Sequence, residues 1–281
     1  MTDGHGVVLI TGASSGIGMA TALYMAERGF RVVGTSRAKE RLAELEAEAA
    51  RRNLPVYGVE LDINRDAGLA EDLAAIVEDH GPVSVLVNNA GYGLFGPVQT
   101  LTSDELRAQF ETNVFAVARL MRAVLPGMIE QGGGTIVNVS SILGRIGAPF
   151  HGAYASSKFA LEGLTESLRT EVWPLGVRVV LVEPGLIRTA FPENQLMAEG
   201  IDSGDGAPYA RYVQAYRKRA CGAFRRGADP VIVAKVIHGI VRARRPRFRY
   251  PAGIDSRSGS LAARVLPERI FLSLLGWATR R

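Results

Sequence analysis

Between residues 7 and 182 the chain alternates short runs of β-branched residues with stretches of helical periodicity, and this constrains the fold more than any other feature. Strand-like apolar runs fall at 7–11, 31–36, 55–61, 83–87, 134–139 and 177–182, with helical patterns between them at 16–28, 39–52, 66–79, 103–129 and 152–172. Strands separated by helices pair in parallel, because each helix carries the chain back to the same edge of the sheet. With right-handed crossovers the expectation is an α/β fold, a doubly wound parallel sheet with helices on both faces. Ligands then bind at the carboxyl ends of the strands.

The regularity stops at residue 188. Residues 188–228 carry glycines and Pro208, then a Tyr- and Arg-rich helical pattern at 209–219. An insertion there would lie over the cleft as a lid. A further helix is expected at 230–243 and a last strand at 247–250. The expected division is one domain over 1–259, with the lid at 188–228, and an extension over 260–281. In that tail Leu261, Val265, Leu266, Ile270, Phe271, Leu274, Leu275 and Trp277 follow rough helical spacing.

Composition narrows the class. At 281 residues, 47% apolar and 22% charged, the chain suits one globular domain with a large core. A net charge of +5 is too moderate to argue for nucleic acid. Cys221 is the lone cysteine, which rules out an intrachain disulfide and fits a reducing compartment. The first six residues show no secretory pattern, and no apolar run approaches a membrane span. The expected location is cytoplasmic; the basic runs at 217–219 and 242–249, with the amphipathic tail, also permit peripheral membrane contact. His5, His80 and His238 have no metal-ligand spacing, so no metal is expected, and His151, near the pocket mouth, reads as a loop residue with no chemical role.

Two segments carry chemistry. Gly12, Gly16 and Gly18 follow a strand and open a helix, where backbone N–H groups and the positive end of the helix dipole can approach a phosphate. Tyr154 and Lys158 are four apart on a helical pattern, so phenol and ammonium share one face. A phenol titrates near about 10, and an adjacent ammonium favours the phenolate; a drop of roughly three units needs about 4 kcal/mol. Ser141 lies thirteen positions before Tyr154; Ser140 is one residue too distant to match.

The spacing of Ser141, Tyr154 and Lys158 resembles the catalytic set of the short-chain dehydrogenase/reductase superfamily. Four more segments agree in order: residues 11–18 (TGASSGIG), 88–91 (NNAG), Asn113 within TNV, and 184–189 (PGLIRT). The likeness is good over residues 5–190 and closest to the hydroxysteroid- and retinol-dehydrogenase-like branch. It implies a Rossmann fold, a homo-oligomer (dimer or tetramer) and hydride transfer between a nicotinamide cofactor and an alcohol or carbonyl. Ser141 is then expected to hold the substrate oxygen and Tyr154 to act as acid or base. Lys158, with the oxidised nicotinamide, tunes Tyr154 and binds the ribose, and Asn113 holds a water of a proton relay. The implied cofactor contacts are Gly12, Ser14, Ser15, Gly16, Ile17 and Gly18 in the turn, Ser36 and Arg37 after the second strand, Asp62 and Ile63 at the adenine, Asn89, Ala90 and Gly91 behind it, Tyr154 and Lys158, and Pro184, Gly185, Ile187 and Thr189.

The second strand ends without the acid that would bind the ribose hydroxyls of NAD, and Arg37 follows it, so the expected cofactor is NADP(H). Tyr92, Leu94, Phe95, Leu143, Phe150, Leu186 and Phe191, with Met197, Tyr209 and Tyr212 from the lid, are the expected apolar pocket walls. No fixed charge is evident near Tyr154, which favours a neutral hydrophobic ketone, aldehyde or secondary alcohol, and a carbonyl reductase. The alternatives are an NAD(P)-dependent oxidative alcohol dehydrogenase of steroid or retinol-like type, and a non-catalytic NADP(H)-binding sensor.

Overall fold

The computed structural model describes residues 6–201 and 204–280; His5 and the other terminal residues lie outside, as do the side chains of Leu274 and Trp277. Nine strands are present among the described residues: β1 (Val7–Thr11), β2 (Arg31–Ser36), β3 (Val56–Glu60), β4 (Val83–Asn88), β5 (Leu94–Phe95), β6 (Gly134–Val139), β7 (Val177–Pro184), β8 (Leu196–Met197) and β9 (Arg249–Ala252). Seven form one sheet in the order β3-β2-β1-β4-β6-β7-β9, with every pairing parallel. This is the expected doubly wound Rossmann order. Its direction of winding reverses between β1 and β4, which opens a crevice at their carboxyl ends.

The helices are α1 (Gly16–Ala26), α2 (Ala43–Arg51), α3 (Leu69–His80), α4 (Ser103–Phe110), α5 (Ala116–Glu130), α6 (Gly152–Val172), α7 (Ala210–Arg225), α8 (Val231–Arg242), α9 (Ile254–Val265) and α10 (Glu268–Arg280). One face of the sheet is covered by α1, α2 and α8 through Met25, Leu45 and Ile237. The other is covered by α3, α5 and α6 through Ile76, Leu120 and Leu161. Both faces are therefore dry, which is why the strands read as continuous apolar runs.

Local differences from the sequence pattern have identifiable causes. The stretch at 103–129, expected to hold one or two helices, is two helices joined by a π turn over Glu111–Phe115. α3 starts three residues late because Gly68 takes a left-handed φ of 93°. The last strand runs two residues further than expected, with Pro251 on the outer edge, where no ladder donor is required. α9 runs through the expected boundary at residue 259 and stops at Leu266, before Pro267. Among the described residues no helix is long and apolar enough to cross a membrane.

Candidate active site

A cavity of about 830 Å³ opens at the carboxyl ends of the central strands. Its floor begins at the β1–α1 turn. Gly12 and Gly16 have φ of 66° and 55°, conformations that favour glycine. A Cβ on Gly12 would stand 2.9 Å from the Ala90 backbone, so the turn is pressed against the end of β4. Ser15 caps α1 in an extended conformation without a side-chain bond, and the first turn holds no acid. The N–H groups of that turn therefore remain available to an anion. This cradle fits a pyrophosphate. Gly18 does not line the cavity. A Cβ there would collide with the Gly12 carbonyl, so this glycine serves helix–strand packing instead.

Ser14, Ser15, Ile17, Ser36, Arg37, Ile63, Asn89, Ala90, Gly91, Pro184, Gly185, Ile187 and Thr189 line the cavity as the sequence led us to expect. Asp62 does not; its Oδ1 accepts from the Asn64 backbone N–H at 3.0 Å and closes the turn after β3. Asn89 lines the cavity and also ties strands together, its Nδ2 donating to the carbonyls of Thr11 (2.9 Å) and Gly12 (3.0 Å). Thr189 packs its methyl near Gly16 and accepts from Phe191 N–H at 3.3 Å.

At the other end stand Ser141, Tyr154 and Lys158, all buried and all on the cavity wall. Ser141 begins the turn after β6, its Oγ accepting from Leu143 N–H at 3.1 Å. Tyr154 and Lys158 share one face of α6, with the ammonium 5.7 Å from the phenol ring centre. Lys158 Nζ donates to the Val139 carbonyl at 2.9 Å. Burial pushes the Tyr154 phenol up to about 12, opposed by its hydrogen bond with Ser141. The drop expected from sequence is thus absent in the protein alone, because desolvation outweighs the hydrogen bond with Ser141. Lys158 is itself held down to about 8 by burial, which Glu162 opposes.

Asn113 sits fully buried in the π turn. Its Oδ1 accepts from Tyr92 N–H (3.2 Å), while Nδ2 donates to the Tyr92 carbonyl (3.0 Å) and Ser157 Oγ (3.0 Å). Both amide donors of its side chain are thus spent on the protein. π turns of this sort recur at functional sites.

The lid closes the third side through Tyr216, Arg219, Ala220, Ala223 and Phe224 of α7, with half-buried Cys221 on the same helix. Phe191 stacks on Phe224 and tilts against Tyr154 at 5.4 Å. Of the expected walls, Tyr92, Leu143, Leu186 and Phe191 line the cavity. Leu94, Phe95, Phe150, Met197 and Tyr209 instead pack in a separate core under the lid, and Tyr212 is exposed. Arg219 brings a charge to a wall expected to have none.

The sequence reading missed Arg41, which reaches the cavity beside Arg37 from a 3₁₀ turn over Lys39–Leu42. His151, expected to be an idle loop residue, is buried in the wall, with Nδ1 3.0 Å from the Pro149 carbonyl. Among the described residues no cluster of His, Cys, Asp and Glu could hold a metal.

Comparisons agree with this geometry. A family profile described as short chain dehydrogenase matches residues 6–199. The chain is 38% identical to human retinol dehydrogenase 8, covering 94% of this chain and 90% of that protein. It is 36% identical to the 3-ketodihydrosphingosine reductase of Bacteroides thetaiotaomicron, over 88% and 87% of the two chains. Human 17-beta-hydroxysteroid dehydrogenase type 1 is 37% identical, over 87% and 76%. A short-chain dehydrogenase/reductase from Burkholderia phymatum solved with NAD superposes with a TM-score of 0.82 at 28% identity, covering 97% of each chain. A metagenomic short-chain oxidoreductase solved with NADP gives 0.69 at 31%, covering 89% and 96%. The chain belongs to the short-chain dehydrogenase/reductase family, on its hydroxysteroid-dehydrogenase-like side. It is an NAD(P)-dependent oxidoreductase acting on CH–OH groups.

Proposed function

We propose that the protein is an NADP(H)-dependent carbonyl reductase for neutral hydrophobic ketones or aldehydes. The observation that carries this reading is the buried Tyr154 phenol, hydrogen-bonded with Ser141 at a cavity end walled by Phe191, Phe224, Leu186 and Leu143. A phenol pushed up to about 12 holds its proton at neutral pH, and that is the form that protonates an oxygen as a carbonyl is reduced. Bound NADPH supplies the hydride. The chain's own residues manage the oxygen and the proton. Ser141 Oγ–H donates to the substrate oxygen and orients it. Tyr154 gives that oxygen its proton. The Lys158 ammonium, fixed on the Val139 carbonyl, stabilises the phenolate left behind. Asn113 clamps the Tyr92 backbone to Ser157 and so sets the wall against which α6 stands.

Ser36 at the end of β2, with Arg37 and Arg41 beyond it, supports NADP(H) over NAD(H), since two guanidiniums suit a 2′-phosphate and no carboxylate repels it. Phe191, Phe224, Leu186 and Leu143 leave little for a charged substrate to pair with near Tyr154. The reductase named among the relatives acts on a ketone, which supports the same direction.

The test is NADPH oxidation against a panel of apolar ketones and aldehydes. Tyr154→Phe should lose turnover by about a thousandfold or more while binding NADPH within about twofold of the native protein. Retained turnover in that variant would remove Tyr154 from the reaction. Failure of the native protein on every carbonyl, with turnover of secondary alcohols by NADP⁺, would reverse the direction.

A further inference from the structure

Beneath Ser141 and Lys158 lies a second cluster of charges that the reaction as proposed leaves idle. Glu162 follows Lys158 by one turn of α6, is buried, and accepts from Arg249 Nε at 2.9 Å. The same nitrogen stands 3.5 Å from Oε1 of Glu183, buried at the end of β7 immediately before Pro184. Arg145, from the turn after β6, approaches that oxygen at 3.8 Å. The other arm of Arg249 reaches Glu166 at 2.8 Å, near the surface. Oε1 of Glu162, Oε1 of Glu183 and Ser140 Oγ are all buried without a hydrogen-bond partner. A Cβ on Gly144 would touch both Ser140 Oγ (2.6 Å) and Glu162 Oε1 (3.2 Å), so the cluster is packed directly under the loop that carries Ser141.

Two buried carboxyls facing one guanidinium do not both ionise cheaply. Burial, reinforced by Glu162, pushes Glu183 up to about 7. Glu162 has the shorter contact with Arg249. One turn back along α6 from Glu162 stands the Lys158 ammonium. That ammonium is buried and hydrogen-bonded to the Val139 carbonyl, with the Tyr154 ring at 5.7 Å and Asn113 across Gly91. Desolvation drives a buried ammonium toward the neutral amine, and Glu162 is the charge that opposes it.

We propose that Glu162, held in place by Arg249, is a positioning residue of this site, whose carboxylate keeps the buried Lys158 charged. The proposal rests on the reading of Lys158 as part of the reaction only for its effect on turnover; the effect on Lys158 charge is independent of it. Glu162 and Arg249 touch neither substrate nor cofactor and act through Lys158 alone.

The sequence makes the experiment direct, because it contains four lysines, Lys39, Lys158, Lys218 and Lys235. The full chain labelled with ε-¹³C-lysine gives one NMR signal for each, and the signal lost in Lys158→Met identifies the buried one. In the native protein it should titrate near 8. Glu162→Gln should lower that midpoint by about one pH unit or more, and Glu162→Asp, which keeps the charge, should restore most of it. Glu183→Gln, whose carboxyl faces Arg145 and Arg249 rather than Lys158, should lower it by much less. The alkaline limb of NADPH-dependent turnover should move with the Lys158 signal in each variant. An unmoved midpoint in Glu162→Gln, or equal falls in the Gln and Asp variants or in the two Glu→Gln variants, would overturn the proposal. A shifted midpoint with an unmoved turnover profile would leave Glu162 as the keeper of the charge and remove Lys158 from the reaction.

Discussion

Arg37 and Arg41 show how far a residue's meaning depends on its neighbours. Arg37 was legible because it follows a strand end that lacks an acid. Arg41 was not, because only the 3₁₀ turn over Lys39–Leu42 brings it back to the same wall. Replacing either with Ala should weaken NADPH binding by about ten- to a hundredfold and leave NADH binding within about threefold, read by fluorescence titration. Equal losses for both cofactors would point to a disturbed turn. Tyr154 and Lys158 were legible from spacing, since i and i+4 share a helix face, and Ser141 from the family resemblance. Their electrostatics were not. Whether a phenol's pKa rises or falls depends on how much water the fold leaves around it, and burial decides it here. The partnership of Glu162 with Arg249 bridges 87 positions in sequence, beyond the reach of any local pattern.

Elements divide along the same line. The seven long strands and the helices between them follow from apolar runs and periodicity. The two-residue strands β5 and β8 do not, because two residues carry no period; their pairing of Leu94 with Leu196 and Phe95 with Met197 is a product of the lid's docking. The π turn at Glu111–Phe115 is equally silent in sequence, since its residues suit an ordinary helix. The start of α1 is the element most sensitive to one atom. Gly18→Ala would drive a methyl group into the Gly12 carbonyl and the Asn89 amide, which is backbone and core at once. The expected cost is about 3 kcal/mol, seen as a lowered denaturation midpoint, together with weaker cofactor binding as the turn shifts. A neutral outcome would mean that α1 can slide along the sheet.

For the whole molecule, the buried carboxyl of Glu183 sets a pH dependence of folding. Its pKa is raised from 4.5 to about 7, so between those values the folded chain binds more protons than the unfolded one. Stability then falls as pH rises through that window and levels off above it. The shift corresponds to about 3 kcal/mol. Urea denaturation of the cofactor-free protein at pH 5 and pH 8 should show Glu183 making the higher pH less favourable, and Glu183→Gln should remove most of that difference. A variant with the native slope would place the raised titration on another group. Phe150, packed in the core under the lid, holds a φ of 63°, with its carbonyl accepting from Gly96 N–H at 2.9 Å, just ahead of His151 and α6.

The thiol of Cys221 has no counterpart elsewhere in the chain and rides on α7, one position from the wall residue Ala220. A fluorophore or spin label attached by thiol chemistry would therefore mark the lid helix and nothing else. Opening and closing over the cavity could be followed in real time in the native sequence, with no background cysteines to remove first.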